Sequence, residues 1–118
     1  MTHGRKKVTR IIEELTIYFF TMGAQKVESS IELDGDWAII HFHAHYDNKQ
    51  RVHVEKLHTY LNEPKNEAME DFYWELAGAG DPGEGSQLIL VGMMIDKAEV
   101  NIGENEVSLV LYKHFDYA

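Results

Sequence analysis

Cysteine is absent from this chain, so disulfides and thiolate metal centres are excluded. Any metal site must rest on imidazoles and carboxylates. No long apolar run is present either. The most apolar N-terminal stretch, 8–20, is interrupted by Thr9, Arg10, Glu13, Glu14 and Thr16. No segment is therefore expected to cross a bilayer. Met1 to Lys7 is basic, but the apolar run of a signal peptide does not follow, so a cytoplasmic location is the expectation. Positive charge is scarce: 11 Lys and Arg stand against 20 Asp and Glu, a net −9. Such a chain repels phosphate backbones and carries no basic stripe, which argues against a nucleic-acid partner.

What remains is an ordinary globular composition, 44% apolar and 26% charged over 118 residues. That length suits one domain spanning 1–118 with a single core. There is no internal repeat and no linker.

Val8, Ile11, Ile12, Leu15, Tyr18, Phe19 and Met22 keep helical spacing, and Gly23 is placed to end that helix. Strands are expected over 26–33 and 37–46, joined by a turn at Asp34-Gly35-Asp36. The 51–61 segment reads as a short helix with Val54, Leu57 and Leu61 inward, closed before Pro64. Asn66 can cap another, whose Met69, Phe72, Tyr73 and Leu76 point inward and whose Glu67, Glu70, Asp71 and Glu75 form a solvated face. The only glycine-rich loop spans 78–85 and lacks the Lys-Ser/Thr of a phosphate-binding loop. The 86–95 stretch is apolar all round, so periodicity does not separate buried helix from buried strand. Two final strands, 98–102 and 107–112, flank a turn at Gly103-Glu104-Asn105. This order predicts an α+β, two-layer sandwich: a mainly antiparallel sheet of about four strands with helices on one face.

Function gathers on His41-Phe42-His43-Ala44-His45-Tyr46-Asp47. A strand repeats every two residues, so His41, His43 and His45 share one face, away from the helices, while Ala38, Ile40, Phe42, Ala44 and Tyr46 share the other. One imidazole pair can hold Zn²⁺ or Ni²⁺. His41 and His45 are about 13–14 Å apart along a strand, so the three do not share one ion. A real site needs a pair plus an outside ligand, with Asp47, His53, His58 or another subunit as candidates. The competing readings are a solvated or dimer-interface face and a proton-linked switch. His53 and His58, five apart on one expected helix, read as surface residues. Met93-Met94 and Phe72-Tyr73-Trp74 read as core.

The element order resembles the histidine-kinase-like ATPase (GHKL, or Bergerat) domain. The tail carries the likeness best. Gly83-Glu84-Gly85, the apolar 86–95 stretch, Asp96 to Ile102 and Val107 to His114 look like the end of an anti-sigma-factor kinase. The resemblance implies that 86–95 is a helix. It also implies a nucleotide site at Glu14, Tyr18, Asp47, Gly83 and Gly85, with Glu14 as the general base if catalysis survives. This chain departs from the family there. Tyr18 stands where a Mg²⁺-binding Asn belongs, and a phenol is a poor replacement for that compact ligand. Asp47 matches the adenine-reading Asp, but Asn48-Lys49-Gln50-Arg51 lacks the family's glycines, and Gln87 replaces a further one. The expectation is a non-catalytic regulatory domain with a decayed nucleotide site, binding a protein partner or itself and needing no cofactor. The alternatives are a divergent ATP/Mg²⁺-binding, anti-sigma-factor-like serine kinase and a Zn²⁺ or Ni²⁺ module built on His41, His43 and His45.

Overall fold

The computed structural model of the chain describes residues 3–62 and 86–115. Helix α1 (His3–Thr21) buries Val8, Ile11, Leu15, Tyr18, Phe19 and Met22, with Ile12 half-buried at the border. That is the stripe its spacing predicts. Its end is a Schellman motif. Ala24 donates its N–H to the Phe19 carbonyl at 2.9 Å, and Gly23 donates to the Phe20 carbonyl at 3.0 Å. Gly23 takes φ +83°, which a side chain would disfavour. Ala24 is buried beside the closing turn.

Strands β1 (Val27–Asp34) and β2 (Trp37–His45) form a hairpin around Gly35-Asp36. A 3₁₀ turn, Asn48–Gln50, leads into α2 (Arg51–Val54) and α3 (Leu57–Leu61). The single helix expected over 51–61 is thus broken at Glu55 and Lys56. Lys56 donates to the His53 carbonyl at 3.1 Å, an i→i−3 bond that tightens the turn between the two pieces. Val54, Leu57 and Leu61 are nevertheless fully buried, as their spacing predicts. The capped helix expected from Asn66, its acidic face and the 78–85 loop lie outside the described residues.

The ambiguous apolar stretch is helix α4 (Ser86–Met94). It packs against both α1 and α3, and Leu88, Leu90, Val91 and Met94 are buried. Ile89 and Met93, four residues apart on its remaining side, are only half-buried, but they are apolar like the rest, so the sequence shows no amphipathic period. Gly92 permits the contact with α3: a Cβ there would lie 2.5 Å from the Tyr60 carbonyl oxygen.

Strands β3 (Lys97–Ile102) and β4 (Glu106–His114) complete an antiparallel sheet in the order β1-β2-β4-β3. The fold is the expected α+β two-layer sandwich, with helices on one face. Ala38, Ile40, Phe42 and Ala44 of β2 and Val107, Leu109 and Leu111 of β4 are buried under them. The two strands are paired so that Phe42 lies opposite Leu109 and Ile40 opposite Leu111. Phe19 of α1 stacks on Phe42 at 5.6 Å between ring centroids, joining the two layers. No described helix is long and apolar enough to cross a membrane.

Candidate metal centre on the open face

The other face of the sheet follows from the same registers. Trp37, Ile39, His41, His43 and His45 of β2 alternate with the buried set. Opposite them on β4 stand His114, Tyr112, Val110, Ser108 and Glu106 in turn. On β1, Glu28 stands opposite His43 and Ser30 opposite His41. The histidine row therefore lies on the face opposite the described helices, as the strand period predicts.

Three of these side chains converge. His43, His45 and Glu106 each offer a ligand atom, all within 4.8 Å of one another. Glu106 Oε1 lies 3.5 Å from His43 Nε2 and 3.3 Å from His45 Nε2. The two imidazole rings meet edge to face at 5.3 Å. The convergence has a backbone cause. Tyr46 donates its N–H to the Asn105 carbonyl at 2.9 Å, so the adjacent opposed pair, His45 and Glu106, is a non-hydrogen-bonded one. Side chains approach most closely at such pairs. His43 is two residues back on the same face.

The ring of His43 is addressed from both sides. Its Nδ1 lies 3.9 Å from Glu28 Oε1 on β1, while its Nε2 faces Glu106 on β4. A carboxylate behind an imidazole helps to fix the ring's orientation. Glu28 is steadied in turn by Lys26, at 3.6 Å. His43 and His45 are partly exposed and Glu106 is exposed, so an ion could reach the site from solvent.

The remaining candidates lie elsewhere. His41 stays on the face but outside the cluster, lining a shallow depression of ≈ 280 Å³ with Ser30, Ser108 and Val110. Asp47 falls beyond the strand end. It caps the 3₁₀ turn, its Oδ1 accepting from the Lys49 N–H at 2.9 Å. His53 and His58 lie on two different short helices, α2 and α3, rather than one. Of the described residues, Glu106, and not Asp47, His53 or His58, joins His43 and His45 in the cluster. Glu14 is buried on α1 and ion-paired with Arg10 at 2.9 Å. Tyr18 is buried and its hydroxyl donates to the His53 carbonyl at 3.4 Å. The depression at Asp47 is lined by Gly23, Gln25, His45, Tyr46, Asn48 and Asn105, with neither Glu14 nor Tyr18 in its wall. Gly83 and Gly85 lie outside the described residues.

The far end of the same face has different chemistry. Trp37 meets His114 edge to face at 5.0 Å, and the Lys97 ammonium sits 5.4 Å from the Tyr112 ring centre. The Tyr112 hydroxyl donates to Glu99 Oε1 at 2.7 Å. That bond, then loss of solvent, then the Glu99 charge, raise the Tyr112 pKa above its usual value. Ionising the phenol would break the bond and set two negative charges together. The folded-state pKa exceeds the unfolded one, so the bond's contribution is fully present below the ordinary phenol range, about 10, and is lost as pH rises through the folded value. Glu99→Gln is expected to move one phenolate transition to lower pH in an ultraviolet absorbance titration. An unchanged titration would show that the bond does not hold in solution.

No protein-family model, no curated protein and no solved structure matches this chain.

Proposed function

We propose that the open face of this domain binds one divalent transition-metal ion, zinc or nickel, through His43, His45 and Glu106. The observation that carries this reading is the spacing of the donors. Ligands of a tetrahedral zinc ion, with bonds of about 2.0–2.1 Å, lie about 3.3 Å apart. Glu106 Oε1 already stands 3.3 and 3.5 Å from the two imidazole nitrogens. Two nitrogens and one carboxylate oxygen form a borderline set that suits zinc or nickel rather than magnesium or calcium. Three protein ligands leave a coordination position for water or a partner's group.

The domain is then a metal-binding module that acts by what it holds and presents, not by catalysis on nucleotides. The histidine-kinase-like reading has less to stand on. Its three described nucleotide residues are employed otherwise: Glu14 in an ion pair, Tyr18 inside the core, Asp47 as a turn cap.

The test is calorimetric titration of tag-free protein with Zn²⁺ and Ni²⁺. Wild type should take up one ion per chain. The His43→Ala/His45→Ala double variant should take up none at that site while keeping its circular dichroism spectrum. Identical titrations of the two proteins would sink the proposal.

A further inference from the structure

Strand β1 is one edge of the sheet. The opposite edge, β3, has α3 packed against it, whereas every residue of β1 after Val27 is exposed. The direction of its backbone groups follows from one bond. His45 donates its N–H to the Lys26 carbonyl at 3.0 Å, and opposed antiparallel pairs alternate between bonded and non-bonded. Glu28, Ser30 and Glu32 therefore bond inward to His43, His41 and Ile39. The N–H and C=O groups of Ser29, Ile31 and Leu33 point outward, away from β2.

The side chains divide on the same period. Glu28, Glu32 and Asp34 form an acidic row on the open face. Ile31 and Leu33 lie on the helix face, opposite Ile40 and Ala38, yet remain 44% and 58% exposed. Ladder positions, an acidic row and an aliphatic shelf thus lie side by side on one edge.

We infer that β1 accepts an added strand from a partner protein: an extended segment in which Lys or Arg alternates with aliphatic residues. The basic side chains would face the acidic row, and the aliphatic ones would extend the shelf of Ile31 and Leu33. Main-chain bonds supply affinity in this mode of recognition, and alternate side chains supply selectivity. A second copy of this chain fits badly. Pairing β1 with itself about a two-fold axis keeps like faces together and sets Glu28 against Glu32 or Asp34. Like charges directly opposed destabilise a ladder. The chain's own basic run, Arg5-Lys6-Lys7, is committed to α1.

The probe is an acetylated peptide as long as β1, alternating lysine with valine. Its control is a peptide of the same composition with the lysines in one block. Both are added with chelator present, so the outcome is independent of the metal site. Backbone amide spectra and hydrogen exchange are read. The alternating peptide should slow exchange at Ser29, Ile31 and Leu33, and the block peptide should not. Ile31→Pro removes an outward N–H and one side chain of the shelf while leaving the inward ladder bonds, an exchange that edge strands tolerate, and should abolish the protection at Ser29 and Leu33. Glu32→Lys should weaken binding several-fold, up to about tenfold. Equal protection by both peptides, or no protection, would overturn the inference and leave the acidic row as a guard against edge pairing. Protection that rises with protein concentration alone would overturn it in favour of a second copy.

Discussion

Phe19→Ala is expected to destabilise the fold by about 3–5 kcal/mol, while Phe20→Ala changes stability by no more than about 0.5 kcal/mol. The two phenylalanines are neighbours in sequence and opposites in structure. Phe19 is fully buried, stacks on Phe42 and meets Tyr18 edge to face at 5.2 Å. Its carbonyl also accepts the Schellman bond that ends α1. Removing its ring leaves a cavity where the helix layer meets the sheet layer. Phe20 is 60% exposed and leaves no void when shortened. Against a total stability of about 5–15 kcal/mol, the first loss is a large fraction and the second lies near the limit of measurement. Urea denaturation followed by circular dichroism reads both. Equal losses would mean that α1 does not present the face described. Phe19→Leu should fall between them, since it keeps most of the apolar volume.

The same contrast shows where the sequence is legible. Along α1 the apolar residues recur at helical spacing, because one face meets the core and the other meets water. Along β2 they alternate, because one side of the sheet is covered. Either pattern can be read without knowing the partner element. At α4 it fails. Leu88, Leu90, Val91 and Met94 are buried, and the half-buried Ile89 and Met93 are apolar as well, so burial leaves no period in the sequence. At Glu55 and Lys56 it fails differently, since no proline or glycine marks the break between α2 and α3.

The site follows the same logic. His43 and His45 are visible as a pair because they share a strand. Glu106 is not, because only the pairing of β2 with β4 brings it opposite His45. The available signal was indirect: the turn at Gly103-Glu104-Asn105 places Glu106 first in β4. Its partner strand, however, depends on the sheet order β1-β2-β4-β3, a long-range arrangement that local pattern does not encode. Asp47, which continues the alternate spacing on paper, leaves the row because the strand ends at His45 and the chain turns into a 3₁₀ segment.

Removing the proposed ligands and their support one at a time should weaken zinc binding in a definite order. His43→Ala, His45→Ala and Glu106→Gln each delete or neutralise a donor. Each should reduce affinity by more than the roughly 10–100-fold attached to groups that only orient a ligand. Glu28→Gln belongs to that second kind: it stands behind His43, 3.9 Å from Nδ1, and is not one of the three converging donors. Its effect should therefore be smaller than that of Glu106→Gln, although both exchanges remove one negative charge from the same face. This makes the pair decisive. If general attraction to an acidic surface drew the metal, the two variants would lose affinity equally, and salt would erase the difference from wild type. If the ion is held by coordination, Glu106→Gln loses far more than Glu28→Gln and the gap persists at high salt. His41→Ala completes the series. His41 shares the face and the residue type but lies outside the cluster, so its removal should leave zinc affinity within about twofold, a difference worth roughly 0.4 kcal/mol. A loss at His41 as large as at His45 would place the ion elsewhere along the row.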